Sequence, residues 1–401
     1  MKALLIFLPL LILPLLLSAT SLSTLIENAK ANHTSLEAIE KRLSAIDNEY
    51  EVTRNFADPE LSFSLSDIQL NDPTNRSIEP MQYTALNLKQ KIPYFGKRDA
   101  ASKKVAAKKA KVGFTLSQAK VKLVESIKLT AFSIWQVEEQ LKITDEYIKL
   151  TRQNIELYTA YSTSDTKAHM GIMSAELSLS QLKIKRSRLQ SLLTGLYKKV
   201  SYLSATSVDS LEVQMQVNEP RELTFYIDAS HESSAYKVKE AIVKEAEADL
   251  KIKELAGNVD PFVQVGYFYR ESFEDYMNIN VGFALPIYGT QDSKEEASRK
   301  LALATKSEVA DFKNSLDSKV AAEYAKLLDS YRVYNIIEKE SLPQIEHMFD
   351  LTNTSIKSGS DLFIYIELLA KKLRLDEQSI QAVASYYKIT ASLDALIGVE
   401  Q

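Results

Sequence analysis

The sequence predicts a mainly α protein with a small β part, built as an internal two-fold repeat of one helix-strand-strand-helix unit. Four observations carry that prediction. Proline is absent between Pro93 and Pro220, and after Pro286 it occurs only at Pro343. In both of these blocks apolar residues recur every seven positions, which is the seam of a coiled coil. Ahead of each block the period drops to two, as in strands with one wet face. The phrase apolar-Pro-x-aromatic-Gly-x-x-Asp then closes both of these strand regions.

Taken in order, the chain opens with an address label. Lys2 precedes an uncharged run from Ala3 to Leu17 and the small polar stretch Ser18-Ala19-Thr20-Ser21, the layout of a secretory signal. Residues 1–20 are expected to be that signal, with cleavage between Ala19 and Ser23. No later stretch reaches the roughly 20 apolar residues that a spanning helix needs. A membrane location for the mature chain would therefore have to use strands.

The first repeat is assigned to 21–204. Asp58-Pro59 opens its strand pair, Leu61-Ser62-Phe63-Ser64-Leu65-Ser66 alternates without a slip, and Met81 to Ile92 continues with Gln82, Thr84, Asn87 and Gln90 interleaved. Pro93, Gly96 and Asp99 mark the strand-to-helix junction. Proline cannot donate to a sheet ladder, glycine permits a turn that other residues resist, and an aspartate cap favours the helix that follows. A helix from Lys97 to about Tyr158 would be roughly 90 Å long at 1.5 Å per residue, which demands a rod or a barrel. Its seam runs through Ile134, Leu141, Ile148 and Ile155. The pattern lapses near 159–171, predicting a tight reversal, and resumes antiparallel through Leu182, Leu189, Leu196 and Leu203.

Residues 205–229 read as an inter-repeat linker and 230–401 as the second repeat. Asp260-Pro261 opens the second strand pair, expected over Pro261 to Tyr269 and Met277 to Leu285, and Pro286, Gly289 and Asp292 close it. A second reversal is expected over Thr354 to Ser360, followed by a seam at Ile366, Leu373, Ile380 and Tyr387. The two junctions lie 193 residues apart and the two Asp-Pro openings 202, so the second hairpin is nine residues shorter. A loop deletion leaves that signature.

Each strand is expected to have about the 9 to 11 residues that a tilted strand needs to cross a bilayer. Aromatic residues gather near the strand ends, among them Tyr94, Phe95, Tyr267, Phe268, Tyr269, Tyr276 and Tyr288, as in interfacial girdles. The plain alternative is two ordinary hairpins. One chain offers four strands, whereas bacterial membrane barrels start at about eight. Open strand edges are not tolerated in lipid, so several subunits must share one wall.

These features resemble the TolC-like outer-membrane efflux proteins over nearly the whole mature length, from about Ser21 onward. The resemblance rests on Asp58-Pro59-Glu60-Leu61-Ser62 and Gln90-Lys91-Ile92-Pro93-Tyr94-Phe95-Gly96-Lys97-Arg98 in the first unit. In the second it rests on Asp260-Pro261, Ala284-Leu285-Pro286-Ile287-Tyr288-Gly289, and Leu342-Pro343-Gln344 ahead of Ser358-Gly359. What it implies is a homotrimer with four strands per chain in a twelve-stranded outer-membrane β-barrel. Long antiparallel helices would form a periplasmic α-barrel that meets a periplasmic adaptor and an inner-membrane pump of a tripartite efflux or type I secretion system. Many members constrict the tube with acidic residues after the second reversal, but the two corresponding positions here hold Tyr365 and Leu368. Asp165, Asp361 and Glu367 lie near the tips and are the tentative gate residues, with solvated tip charges as the blander reading.

Composition excludes more than it names. With 49 basic and 53 acidic residues spread along 401, nothing resembles a nucleic-acid-binding stripe. Absent cysteine excludes disulfides, thiolate metal sites and an N-terminal lipid anchor. No nucleophile triad, phosphate loop or zinc spacing is present, so no catalytic, metal or cofactor site is expected. His169, Met170 and Met173 form a mix that could meet a soft cation, though packing is the commoner use of such methionines. The basic run Lys97-Arg98, Lys103-Lys104 and Lys108-Lys109 reads as a solvated or inter-subunit helix face. A periplasmic coiled-coil adaptor or structural protein without a barrel is the alternative, but it should carry a small lipoyl-like or barrel domain between its helices. A coiled-coil adhesin explains the heptads and not the twice-repeated junction.

Overall fold

The computed structural model describes residues 20–161, 166–356 and 362–400. Strand β1 (Thr20–Ser21) leads into helices α1 (Leu22–Asn32) and α2 (Thr34–Arg54), then strands β2 (Glu60–Leu65) and β3 (Thr84–Lys91), the long helix α3 (Lys97–Tyr161) and its return α4 (Thr166–Ser204). A crossing segment holds β4 (Leu211–Glu212) and α5 (Leu223–Ser230). The second half runs through α6 (Ser234–Ala256), β5 (Pro261–Tyr269), β6 (Tyr276–Phe283), α7 (Thr290–Ile336), a π turn (Ile337–Ser341), α8 (Leu342–Ile356) and α9 (Leu362–Leu396). The turns joining α3 to α4 and α8 to α9 lie outside the described residues.

With 65 residues, α3 extends for about 97 Å at ~1.5 Å per residue, and the rest of the chain is arranged along it. It lies antiparallel to α4, where the Tyr197 hydroxyl donates to Glu138 at 2.6 Å and Arg186 to Asp145 at 2.5 Å. Against α9, also antiparallel, Lys128 pairs with Asp394 at 2.8 Å and the Tyr147 hydroxyl donates to Asp376 at 2.8 Å. Against α6 and the turn after it, part of the basic run finds acidic partners within the chain. Lys97, Lys104 and Lys111, spaced by seven, pair with Asp260, Asp249 and Glu245. Lys108 and Lys109 reach Glu49 and Asp47 of α2, and the Arg98 guanidinium sits 4.3 Å over the Phe56 ring. Part of the run thus departs from the expected solvated or inter-subunit face: Lys97 and Lys104 join the two halves of the chain, Lys108 and Lys109 hold α2, and Lys103 stays solvated, paired with Asp99 of its own helix.

Apolar burial occurs in three separate clusters, as expected of a thin, elongated body that cannot gather one core. Leu25, Leu36, Ile127, Ile134 and Val200 join α1, α2, α3 and α4. Tyr226, Leu316, Val320, Leu327 and Leu393 join α5, α7 and α9. Tyr147, Leu182 and Leu369 join α3, α4 and α9 nearer the helix turns. Residues 205–229 bridge the first two clusters, through Val208 in one and Tyr226 in the other. The parallel pairing of β1 with β4 fixes the start of the described chain to this crossing segment.

The π turn has a local cause. Pro343 has no N–H to offer the carbonyl four residues back and its ring crowds that turn. Widening the preceding turn, in which the Leu342 N–H bonds the Ile337 carbonyl, lets the helix pass the proline without breaking.

Candidate channel wall

The four longer strands form one antiparallel sheet in the order β2-β3-β5-β6. The join between the halves is the eight-pair ladder of β3 with β5, from Thr84↔Tyr269 to Lys91↔Phe262. The strands hold 6, 8, 9 and 8 residues, so β5 reaches the expected 9 to 11 and the other three fall short of it. The largest difference is at Met81–Tyr83, which belongs to the loop rather than to β3. There the Gln82 amide is 1% exposed and makes four hydrogen bonds, donating to the Asp67 and Asn75 carbonyls and accepting from the Ile78 and Glu79 N–H groups. Arg76 adds donations to the Ser66 and Tyr83 carbonyls at 2.7 and 2.9 Å. Loop 66–83 is therefore organised around two side chains, and its hydrogen bonds compete with strand extension.

Because strand residues alternate between faces, the register sorts the sheet without ambiguity. On one face stand Leu61, Phe63 and Leu65, then Leu86 and Leu88, then Val265, Tyr267 and Tyr269, then Met277, Ile279, Val281 and Phe283. All are exposed, with Ile279 at 72% and Val281 at 71%. The opposite face carries Glu60, Ser62 and Ser64, then Asn87, Lys89 and Lys91, then Gln264, then Asn278 and Asn280. Glu60 is ion-paired with Lys91 at 2.8 Å and Lys89 at 3.4 Å. A water-soluble sheet buries its apolar face, whereas here that face is uncovered. A contiguous apolar face of this kind is what a soluble monomer rarely leaves uncovered.

Aromatic rings on the polar face lie flat against it because glycines make room. A Cβ at Gly282 would meet the Phe262 ring at 2.7 Å, and one at Gly266 would meet the Phe268 ring at 2.8 Å and the Asn87 carbonyl oxygen. Lys89 caps the Phe262 ring at 4.7 Å. Phe268, 9% exposed, stacks on Tyr276 at 4.7 Å and meets Tyr83 edge-on at 4.9 Å. Arg270 lies 5.0 Å over Tyr276, at the end of the sheet remote from the helices.

Strand gives way to helix at two comparable corners. Pro93 follows β3, Gly96 adopts φ +89°, and α3 begins at Lys97; Pro286 follows β6, Gly289 adopts φ +68°, and α7 begins at Thr290. Asp99 and Asp292 sit inside the first helical turn rather than at the cap, and Gly289 itself occupies the cap of α7 without a side-chain bond. Their contribution is the favourable placement of a negative charge at a helix N-terminus. The first corner is clasped from the other half of the chain. Asp260 accepts from the Tyr94 N–H at 2.7 Å and from the Lys97 ammonium at 2.8 Å, and the Ile92 N–H donates to the Pro261 carbonyl at 2.8 Å. Periodicity gave no sign of this role for Asp260, although its place before Pro261 did.

At the opposite end of the helices, Asp165 and Asp361 lie outside the described residues. Glu367 is exposed and paired with Lys371 at 2.9 Å, and that partner holds its carboxyl below the usual carboxylate range. Tyr365 of α9 packs edge-on against Phe349 of α8 at 5.6 Å, and Leu368 is buried at 3% exposure, so both positions serve packing. Met170 and Met173 are exposed, and the His169 side chain is outside the described residues. Among the described residues no three metal-binding side chains cluster, and no helix is long and apolar enough to cross a membrane.

No protein-family model matches the sequence, and no curated protein does. Solved structures do match its fold. CusC, studied for conformational changes accompanying folding and transmembrane channel formation, superposes with a TM-score of 0.79 at 14% identity, over 94% of this chain and 91% of that one. The open state of the Neisseria gonorrhoeae MtrE outer membrane channel gives 0.79 at 14%, over 94% and 88%. The outer membrane protein VceC of Vibrio cholerae gives 0.74 at 14%, over 94% and 96%.

Proposed function

We propose that this chain, whose fold is that of TolC-like outer-membrane channels, is one subunit of a trimeric efflux duct. The observation that carries the reading is the inverted sheet, apolar and bare on one face, polar on the other, with both edge strands unpaired. In lipid such edges are untenable, and closure with further copies removes them. Three chains give twelve strands, with the apolar face toward outer-membrane lipid and the polar face toward a water-filled bore. The helices extend that bore into the periplasm, where their turns meet a periplasmic adaptor and, through it, an inner-membrane pump. The channel conducts passively and energy is supplied by the pump. Residues 1–20 direct export, and the two helix-strand-strand-helix halves derive from one duplicated unit. Asp165, Asp361 and Glu367 remain the acidic candidates for a gate at the periplasmic end. The apolar packing of Tyr365 and Leu368 argues against a gate built at those two positions.

Cysteine substitution tests the reading in a chain that has none of its own. In intact cells Asn280→Cys should react with a small hydrophilic thiol reagent, while Ile279→Cys, one residue away and facing lipid, should not. The chain should fractionate with outer membranes and need detergent for release. Recovery in soluble periplasm, or equal labelling at both positions, would overturn the assignment.

A further inference from the structure

The in-chain join between the two hairpins specifies the join between neighbouring subunits. This rests on the trimer proposed above and adds what that reading leaves open, namely the strand register and the side chain that locks it. The β3–β5 ladder pairs residues whose numbers sum to 353, as in Lys91↔Phe262 and Lys89↔Gln264. The first junction recurs 193 residues later and the Asp-Pro opening recurs 202 residues earlier. Carried through both offsets, β3 becomes β6, and β5 becomes β2 of the next copy. Lys89↔Gln264 then becomes Gly282 opposite Ser62 of the partner subunit, and Asn87↔Gly266 becomes Asn280 opposite Ser64 of the partner subunit.

Two independent properties of the sheet agree with this register. Pairs of equal parity keep faces together, so Val281 meets Phe63 of the partner subunit and Ile279 meets Leu65 of the partner subunit, apolar on apolar. A slip by one residue would set the apolar row of one chain against the polar row of the next. The second property is a vacancy of partners at the corner. Asp260 clasps the first junction, but among the described residues the second junction has no such clasp: Leu285, Ile287 and Tyr288 are exposed, and the Ile287 N–H closes only a three-residue turn on the Leu285 carbonyl at 3.0 Å. Asp58, the counterpart of Asp260, is exposed and makes no hydrogen bond or ion pair among the described residues.

We infer that Asp58 of the partner subunit clasps the β6–α7 corner, accepting from the Ile287 N–H and from the Thr290 hydroxyl, and so sets the β6–β2 register between copies. The helices add little to that register. Where Lys104 and Lys111 bind α6, the positions one repeat on are Ala297 and Ala304, which carry no charge.

The test uses the full chain in membranes, with paired cysteines and mild oxidation. Ser64→Cys with Asn280→Cys should give covalent trimers on a non-reducing gel. Ser64→Cys with Asn278→Cys, or Ser62→Cys with Asn280→Cys, keeps both thiols on the same face but two residues out of register and should leave monomers. A stronger trimer band from either displaced pair overturns the register while leaving the ring intact. Failure of every pair along β2 and β6 overturns the ring itself. Asp58→Asn should lower the temperature at which the detergent-solubilised trimer separates, and an unchanged temperature would remove Asp58 from the contact.

Discussion

Gly96 and Gly289 hold the left-handed backbone that turns each strand pair into its helix, and at Gly289 a Cβ would meet no neighbour. The cost of Gly289→Ala is therefore backbone strain alone, about 1–2 kcal/mol per copy. Thermal separation of the trimer should register it as a lower transition temperature. The pair formed by Tyr147 and Asp376 poses a different residue-scale question. Burial raises the Asp376 carboxyl above its ordinary range, against the opposing Tyr147 hydrogen bond and Lys372, with Glu146 and Glu346 pushing it further up. Burial likewise raises the Tyr147 hydroxyl, so that it remains a donor. The folded state thus holds the Asp376 proton more tightly than the unfolded chain does. Its stability contribution is complete below the ordinary carboxylate pKa and is lost as pH rises through the folded value. Asp376→Asn should therefore melt higher than the parent at neutral pH, with the difference shrinking on mild acidification. A constant difference across that range would show that the carboxyl is ordinarily solvated.

At the scale of elements, the two faces of the sheet make opposite demands. Ile279→Arg sets a charge on the apolar face and should cost about 2–4 kcal/mol if it lies near the bilayer midplane. Asn280→Arg, on the polar face, should be tolerated; the yield of membrane-inserted trimer separates the two. Much of this was legible in sequence. Alternation over Leu61 to Ser66 and Pro261 to Tyr269 located strands, the proline-free blocks located the long helices, and Gly96 and Gly289 marked the corners where positive φ was needed. What could not be read has physical reasons. The shortening of β3 follows from hydrogen bonds made by Gln82, a polar residue that fits an alternating pattern as well as a loop. The use of Lys97, Lys104 and Lys111 as a ladder depends on acidic residues more than 130 positions away. No local pattern announces such partners, and the ladder's half-exposed pairs contribute no more than about 1 kcal/mol each.

For the whole molecule, the absence of one central core follows from the length of α3. Stability is distributed over three apolar clusters and the charged seam, so helices near the turns can move with less disturbance to the cluster around Leu25 and Ile127 than a globular packing would allow. The bare apolar face makes a lone folded subunit a hazard in water, since it combines exposed Leu, Ile and Phe with unpaired strand edges. Under the proposed trimer, membrane insertion and closure should follow folding of the sheet closely.

The ladder between β3 and β5 has one more consequence. In a closed trimer the wall consists of six hairpins meeting at six seams, and the seam within a chain differs from the seam between chains chiefly in being tethered through α3, α4 and the crossing segment. That tether converts three of the six encounters from bimolecular to intramolecular. Assembly thus becomes a third-order rather than a sixth-order problem in subunit concentration. On the proposed trimer, the doubled architecture lets a ring close at dilutions where separate hairpins would stay apart.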